Sequence, residues 1–245
     1  MLQNHCMAED AFATVNGSFV LLAKARPVEP VEEDFTEDED ELEVNDPFES
    51  VNRKIFAFND ATYFYVFKPV AKGYRAVVPE GGRLSVSNFF SNLLAPVRIV
   101  NSGLQLKGED ATNETMRLII NSTLGLAGLF DVARNDFKIT IKKEDFGQTM
   151  GHYQVGNGPY IVIPFLGPSS IRDGIGLLID GAYLDPLNYI YDDETGRYLF
   201  AKWVDIETTL SLDKDTYEAI KNDAIDPYLF LRNAYIQHRA GAVEN

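Results

Sequence analysis

The sequence predicts a mainly helical protein with a single folded domain behind an acidic N-terminal segment. Apolar residues recur at helical spacing in several stretches, whereas strand-like alternation is confined to residues 138–143. The chain has 245 residues, enough for one sizeable core. No internal repeat is present. These observations favour one helical domain with little strand.

Acidic residues are concentrated near the N-terminus. Residues 29–49 contain twelve acids and no Lys or Arg, whereas the formal net charge of the chain is −15. Such a run repels itself and buries too little apolar surface to offset the entropy of ordering it. We interpret residues 25–45 as a solvated tether, with a partner-binding acidic arm as the alternative. Residues 1–45 are thus an N-terminal segment and residues 46–245 the folded domain.

The first helix is predicted to start at Asp46 and Pro47, a capping acid followed by proline at the first helical position. A helical pattern then covers residues 48–58. The aromatic stretch 63–67 leads to Pro69, where the missing backbone N–H interrupts regular helix bonding.

Two amphipathic helices are predicted next. Spacing over residues 86–104 is helical, and Pro96 should kink this helix or divide it. Residues 110–133 form a third helical pattern with an uncharged part at 118–130, too short to span a bilayer but suited to burial or an interface. Residues 138–143 alternate as a short strand or an extended link.

Four helix signals follow in the C-terminal half. Ser170 and Asp173 form an S-x-x-D helix start. The predicted helices are one from residue 171 with an apolar face of Ile171, Ile175, Leu178 and Ile179, one at 203–212, one at 216–221, and one from Asp226–Pro227 to Arg239.

Residues 147–171 contain no Asp, Glu, Lys or Arg. A charge-free run of this length is typical of a segment that faces lipid or a dry core. A continuous spanning helix is excluded by Pro159, Pro164 and Pro168, with four glycines among them. The run therefore predicts a protein that sits in lipid without crossing it as a simple helix.

Several functional classes lack the residues that they need. No basic stripe exists to neutralise phosphates, so we expect no nucleic-acid partner. The three histidines and one cysteine give little material for a metal site, and no nucleophile motif or phosphate-binding loop is present. His152 is a hydrogen-bonded structural residue or a general base, and Asp192–Asp193 is an exposed turn. We predict no enzyme activity, no cofactor and no metal.

The N-terminus gives no clear export signal. Residues 11–25 are weakly signal-like, but Glu9 and Asp10 stand where a positive region is expected. Lipid attachment through Cys6 would require an apolar run with small residues before it, and Gln3, Asn4 and His5 do not provide one.

Ordered motifs extend over residues 46–239. They are DPFESVNR (46–53), FAFN (56–59), KPVA (68–71), VP (78–79), SNF (87–89), NSTLG (121–125), GLFDVA (128–133), DFGQT (145–149), GHY (151–153), GPY (158–160), PFLGPSSIRD (164–173), DPY (226–228) and RNAY (232–235). In this order and over this length, the motifs resemble those of the MlaA/VacJ lipoproteins. The missing lipobox around Cys6 departs from the family pattern.

The resemblance implies a ring-like helical domain with short amphipathic and broken helices, embedded in the inner leaflet of the Gram-negative outer membrane and facing the periplasm. It implies an amphipathic channel that withdraws misplaced outer-leaflet phospholipid and passes it to a periplasmic carrier protein. An outer-membrane porin trimer is the second implied partner. The alternatives are a porin-associated structural scaffold and a soluble periplasmic lipid carrier without a channel of its own.

Candidate residues of a lipid path or gate follow from the residues and the resemblance together. Residues 158–167 contain prolines, which restrict the backbone, and glycines, which let it bend. A mobile gate requires both, but an ordinary turn has the same composition. Enlarging Gly158 or Gly167 should change lipid passage more than fold stability. The full set is Phe58, Asn59, Gly158, Pro159, Tyr160, Pro164, Phe165, Gly167, Arg172 and Asp173.

Individual side chains of this region and of the helices have expected positions. Arg172 and Asp173 mark an aqueous edge or form an ordinary helix-end pair. Aromatic residues of the charge-free run are expected near the membrane interface: Tyr153, Tyr160 and Phe165. Neutral polar groups of the channel wall are expected from Asn59, Asn88, Asn121 and Gln148, or these are satisfied helix and turn residues.

Overall fold

Helices dominate the computed structural model, which describes residues 46–191, 194–213 and 215–244. The prediction of a mainly helical chain is confirmed. The helices are α1 Glu49–Thr62, α2 Lys68–Val77, α3 Glu80–Leu93, α4 Ala95–Leu104, α5 Gly108–Thr123, α6 Val132–Asn135, α7 Phe146–His152, α8 Ile171–Ile179, α9 Pro186–Ile190, α10 Thr195–Leu212, α11 Thr216–Asp223 and α12 Pro227–Glu244.

Proline sets several helix boundaries, as the sequence predicts. Around Pro96 the amphipathic pattern divides into α3 and α4, with this proline in the first turn of α4. Helix α12 begins at Pro227, and the Asp226 carboxylate accepts the backbone N–H groups of Tyr228 and Leu229. The predicted start at Asp46 and Pro47 lies in a turn just before α1.

Two helices pass through a π-helical turn before a proline. Residues Tyr63–Phe67 connect α1 directly to α2, and Asp180–Leu184 extends α8. Proline cannot donate the regular helical hydrogen bond, and a π-helical turn bonds residues five apart instead of four. With this turn the chain stays helical close to Pro69 and up to Pro186. The aromatic stretch 63–67 is therefore part of one long helix.

The third predicted helix, 110–133, is shorter than its pattern suggests. Helix α5 ends at Thr123, and a turn leads to the short α6. The cause is local: a Cβ on Gly125 would lie 2.5 Å from the carbonyl oxygen of Asn121, and Gly128 has a φ of +93°. Residues 138–143 form an extended link.

A two-stranded antiparallel hairpin lies inside the charge-free run. Strand β1 is Tyr160–Ile163 and β2 is Gly167–Ser170, with Tyr160 opposite Ser170 and Ile163 opposite Gly167. The absence of a continuous helix through this run is confirmed. The two strands were not predicted, since strand-like alternation was expected only at residues 138–143. The glycines and prolines stand at the ends and in the turn, which leaves short pairable segments between them.

Two apolar clusters hold the domain together. One joins α1–α2 to α10–α12 through residues that include Tyr63, Phe67, Leu210 and Leu231. The other packs β1 on α12 through Tyr160, Val162, Tyr228 and Tyr235. The hairpin is thus fixed against the C-terminal helix on one side and against α1 on the other.

Candidate functional site

The helices of this domain bury polar side chains and expose apolar ones. Arg172 and Gly176 of α8 are buried, as is Asp180 in the π-helical turn that extends it. On the other face of α8, Ile171, Ile175 and Leu178 are exposed, Leu178 to 72%. The predicted apolar face is therefore real but points outward. Among the described residues, buried polar and charged side chains outnumber buried apolar ones. A water-soluble domain normally shows the opposite arrangement.

The same inversion recurs in α5 and α4. Helix α5 buries Glu114, Arg117 and Asn121 and exposes Met116 and Ile119. Helix α4 buries Arg98, Asn101 and Ser102 and exposes Val100 and Leu104. Other large apolar side chains on the outer surface include Tyr65, Leu124, Leu126, Phe130, Tyr183, Tyr189, Leu199, Phe200 and Trp203.

Some of the polar groups under this surface form hydrogen-bonded networks, the first of them around Arg239. Arg239 of α12 donates to both carboxylate oxygens of Asp145, at 2.7 and 3.0 Å, and to both of Asp173, at 2.8 and 2.9 Å. Tyr235 also donates its hydroxyl to Asp173. Burial alone would raise the pKa of each carboxyl, but the Arg239 charge and its hydrogen bonds hold both pKa values below the usual range.

Arg172 and Asp173 are buried members of this network. Arg172 is 5% exposed and donates from Nε to Asp173 Oδ1 at 2.9 Å. The interpretation as an aqueous edge was wrong, because both side chains are covered by α7 and α12. The helix-start interpretation is confirmed, since Ser170 Oγ accepts the backbone N–H of Asp173 at 3.1 Å.

A second network runs through Asp180. This carboxylate accepts the backbone N–H of Phe146 and the side-chain amide of Asn101, each at 2.9 Å. Asn101 Oδ1 accepts the hydroxyl of Thr149 at 2.9 Å. Burial raises the pKa of Asp180 to about 6 despite these bonds.

The hairpin carries most of the predicted gate residues. Gly158 and Gly167 have φ values of +67° and +87°, so any larger residue at either position strains the backbone. Pro164 and Phe165 form the tip, and Phe165 itself has a φ of +64°. Mobility of residues 158–167 stays a prediction, as does the lipid-passage effect of enlarging the two glycines.

Tyr160 does not lie at an outer interface. It is 3% exposed and packs against the rings of Tyr228 and Tyr235, whereas Tyr153 and Phe165 are exposed. The expectation of Tyr160 near the membrane interface was therefore wrong. Its position at the first residue of β1 directs the ring into the core because alternate strand residues point to the same side.

Phe58 and Asn59 contact the hairpin tip. The rings of Phe58 and Phe165 meet edge to face with centroids 5.1 Å apart. The Asn59 amide donates to the carbonyl of Ile163 at 3.0 Å and accepts the backbone N–H of Phe165 at 2.8 Å. The structure thus brings these two predicted sites together.

The other neutral polar candidates have partners of their own. Asn121 bonds Asp131 and the backbone N–H of Ala133, and Gln148 bonds the Lys143 carbonyl. These are the satisfied helix and turn residues of the alternative interpretation. Asn88 and Asn121 also line a polar pocket whose other members are Ser91, Asn92, Ala95, Arg98, Arg117, Leu118 and Asp131.

Metal-binding arrangements are not formed by the described residues. No three His, Cys, Asp or Glu side chains in residues 46–191, 194–213 and 215–244 are grouped to hold a metal ion. The His152 ring lies against Tyr153, with centroids 5.2 Å apart. Within those same ranges, no helix has both the length and the hydropathy to cross a bilayer. Cys6 and Asp192–Asp193 lie outside the described residues.

Residues 44–242 match the family model described as MlaA lipoprotein. The chain belongs to this family. The match begins close to the predicted domain start at residue 46, and the resemblance inferred from the motifs is confirmed.

Two curated relatives are similar to this chain over most of its length. The intermembrane phospholipid transport system lipoprotein MlaA of Escherichia coli is 36% identical over 199 residues, covering 79% of this chain and 76% of the relative. An uncharacterized protein of Rickettsia prowazekii is 34% identical over 203 residues, covering 83% and 80%.

A solved structure has the same fold as this MlaA family member. It is described as the structural basis for maintenance of bacterial outer membrane lipid asymmetry, and it superposes with a TM-score of 0.71 at 33% identity. The superposition covers 81% of this chain and 99% of the solved chain.

The burial of several polar residues in this MlaA family member was not predicted from the sequence. The position of Asn52 could have been predicted from its spacing, because it stands seven residues before Asn59 and therefore on the same face of α1. The pairing of the buried Arg239 with the partly exposed Asp145 has no such signal, since it joins positions 94 residues apart. Asp205 and Glu207 look like ordinary surface acids in the sequence but are buried on α10.

Proposed function

We propose that this chain is an outer-membrane component of a phospholipid transport system that maintains lipid asymmetry. It lies in the inner leaflet, faces the periplasm, and withdraws misplaced outer-leaflet phospholipid through an amphipathic channel. The observation that carries the proposal is the inverted polarity of α4, α5 and α8, whose apolar faces point out of the domain.

Lipid is the environment that suits this inversion. Apolar surface in water costs about 25 cal/mol for each Å², so an outer surface rich in Leu, Ile and Phe favours contact with acyl chains. Polar groups that avoid lipid must bond one another, as Arg239, Asp145 and Asp173 do. Short helices broken by turns fit immersion in one leaflet.

The proposed path keeps a phospholipid headgroup wet and its tails dry. Neutral polar groups and aromatic rings supply both surfaces without the strong binding that would trap the lipid. Residues 158–167, which contain strand β1 and the hairpin turn, are the proposed gate, and Phe58 and Asn59 contact the hairpin tip. No catalytic group is required, because a lipid that moves through a channel keeps all its covalent bonds.

The proposed partners follow from the transport step. The substrate is an intact diacyl phospholipid. A soluble carrier must accept it on the periplasmic side, because free lipid does not cross water readily. The exposed aromatic and aliphatic surface gives room for a second membrane protein, for which we propose a porin trimer in line with the family resemblance.

The first test is lipid mass spectrometry on protein purified from native membranes, with fractionation of those membranes in parallel. We expect outer-membrane fractionation and co-purifying intact phospholipid. A soluble, lipid-free protein would contradict the proposal. Normal porin binding with a blocked lipid path would favour a scaffold, and lysophospholipid in the preparation would indicate a hydrolase.

A further inference from the structure

The polar pocket between α3, α4 and α5 contains an arginine with unused donors. Arg98 lines this pocket and is 7% exposed. Its Nε donates to Glu114 Oε2 at 2.8 Å and its Nη2 to the carbonyl of Ser91 at 2.9 Å. A guanidinium carries five N–H donors, and no described residue accepts a bond from Nη1 of Arg98. The two N–H groups of Nη1 are therefore free for a ligand.

Burial makes unpaired donors of this kind costly. It lowers the pKa of Arg98 even though the Glu114 carboxylate opposes the shift. Arg117, the second arginine of the pocket, has a buried Nε that also lacks a hydrogen-bond acceptor among the described residues. Both side chains belong to residues that are more than nine-tenths buried. Unpaired donors at this depth indicate that the pocket takes an acceptor from outside the chain.

The enclosed part of this pocket is small. Its cavity volume is about 10 Å³, which is room for about one water-sized group. A single phosphate oxygen fits this space, whereas the rest of a headgroup has to remain at the mouth. The pocket also lies at the N-terminal end of α4, because Ala95 is both the first residue of that helix and part of the lining. The positive end of a helix dipole favours an anionic oxygen over water.

The charges around the pocket are balanced. The positive charges of Arg98 and Arg117 face the negative charges of Glu114 and Asp131. Asp131 is the more accessible acid, with 17% of its side chain exposed, whereas the Glu114 side chain is fully covered. A simple anion would leave this site with excess negative charge, but a zwitterion keeps the balance. An ammonium group at the mouth can contact the Asp131 carboxylate.

Exposed apolar side chains border the same pocket. The turn between α5 and α6, residues 124–130, lies against α3, where Asn88 donates to the carbonyl of Leu129 at 3.4 Å. Leu129 and Phe130 of this turn are exposed, as is Phe89 of α3. Leu126 is also exposed and has a φ of +52°, a strained conformation of the kind that clusters at functional sites. A polar pocket beside an apolar surface suits a charged headgroup with acyl chains better than free phosphate.

We propose that this pocket binds the headgroup of a zwitterionic phospholipid of the ethanolamine type. A phosphate oxygen accepts the Nη1 donors of Arg98, the ammonium group contacts Asp131, and the acyl chains lie along the turn at residues 124–130. The site is separate from the proposed gate at residues 158–167. This inference rests on the proposed contact of the domain with phospholipid, and it adds to it a second lipid site and a headgroup preference.

Photocrosslinking tests the site on the full chain in non-ionic detergent. The probe is phosphatidylethanolamine with a diazirine in one acyl chain, and mass spectrometry of peptides maps the crosslinks. We expect crosslinks in residues 124–130, and about tenfold fewer in the double variant Arg98→Met, Glu114→Gln, because the charge-assisted bonds to Nη1 are lost. Changing both residues removes the ion pair without leaving one buried charge behind. Equal crosslinking in wild type and the double variant would overturn the site.

A second variant covers failure of the double variant to fold. Arg98→Lys keeps the positive charge but cannot reach Glu114, the Ser91 carbonyl and a ligand from three separate nitrogens. We expect about fivefold fewer crosslinks at residues 124–130 with a native circular dichroism spectrum. The matched control is Arg197→Lys at an exposed position of α10, which should crosslink like wild type. Wild-type crosslinking in a folded Arg98→Lys variant would overturn the inference equally.

Two further probes identify the ligand. A phosphatidylglycerol probe with the same acyl chains should crosslink residues 124–130 about fivefold less than the phosphatidylethanolamine probe, because its headgroup leaves the site with excess negative charge. Equal crosslinking by the two probes would overturn the headgroup assignment. Inorganic phosphate in large excess should leave the crosslinks unchanged. Their loss would show a site for free phosphate and overturn the assignment to lipid.

Lipid analysis separates this site from the proposed function. If protein from native membranes carries intact phospholipid but residues 124–130 do not crosslink, the headgroup site is wrong and the proposed lipid path stands. If that protein carries no phospholipid and the probe crosslinks nowhere on the chain, the proposed function fails together with this site.

Discussion

At the scale of single residues, the buried polar groups fall into two kinds. Arg239 and its two aspartates satisfy one another, so removing one partner leaves buried charge behind. On α10 the arrangement differs: Asp205 Oδ2 and both carboxylate oxygens of Glu207 are buried without a hydrogen-bond partner among the described residues. Burial raises the pKa of each carboxyl to about 7.

These two acids should make stability depend on pH. Each folded-state pKa lies above the ordinary value, so the stability contribution is full below about pH 4 and is lost as pH rises through about 7. Asp205→Asn and Glu207→Gln imitate the neutral acid. We expect each to stabilise the protein by about 1–3 kcal/mol at pH 8 and to have little effect near pH 4.

Thermal unfolding in detergent at both pH values measures this difference. Asp223→Asn is the control, since this side chain is exposed on α11, and its effect should not change with pH. An equal effect of Glu207→Gln at pH 4 and pH 8 would show that Glu207 is not a buried, partnerless acid.

At the scale of elements, helices α7 and α8 approach each other through glycine. A Cβ on Gly176 would lie 2.8 Å from the Cα of Gly147, which is shorter than any ordinary contact. Backbone on both sides leaves no flexible side chain to move aside. This close approach allows the Arg239 guanidinium to reach Asp145 on one helix end and Asp173 on the other.

Gly176→Ala should therefore force the two helices apart. Overpacking of this kind costs about 1–3 kcal/mol, more where the displaced contact is backbone. Gly73→Ala is the matched control: Gly73 lies inside α2 with nothing within 4 Å of its Cβ position, and the change should stabilise by about 0.5–1 kcal/mol. Denaturant unfolding of both variants would contradict the prediction if Gly176→Ala were neutral.

Local signals in the sequence were sufficient to predict some of the elements. Proline and capping residues located α4, α8 and α12 because those signals act within one turn. The hairpin was missed because β2 reads Gly-Pro-Ser-Ser, without alternation or β-branched residues. Its strand conformation depends on pairing with β1 and on the asparagines of α1, which are contacts that no local pattern contains.

At the scale of the whole molecule, the sequence predicts apolar faces but not their direction. The period of Ile171, Ile175 and Leu178 is the same whether that face meets a protein core or lipid. The buried side of α8 is decided by Asp180, which accepts bonds from α4 and α7, and by Asp173, which accepts bonds from Arg239 of α12. Distant ionic pairing therefore sets the orientation of the helix.

This orientation gives a direct test of membrane contact. Leu178 projects outward from α8 with 72% of its surface exposed, so a charge there should leave folding intact. A carboxylate in lipid is costly, by about 2.5–3.5 kcal/mol at the centre of a bilayer and less near the interface. Leu178→Asp should therefore lower detergent-phase and membrane partitioning by about tenfold or more.

Asn222→Asp provides the matched control, because it adds the same charge at an exposed position of α11. We expect it to partition like wild type, and circular dichroism should show native helix content in both variants. The comparison isolates the α8 surface from total charge. If Leu178→Asp partitions as Asn222→Asp does, the outward face of α8 does not touch lipid. The inverted polarity would then indicate a protein partner on that face.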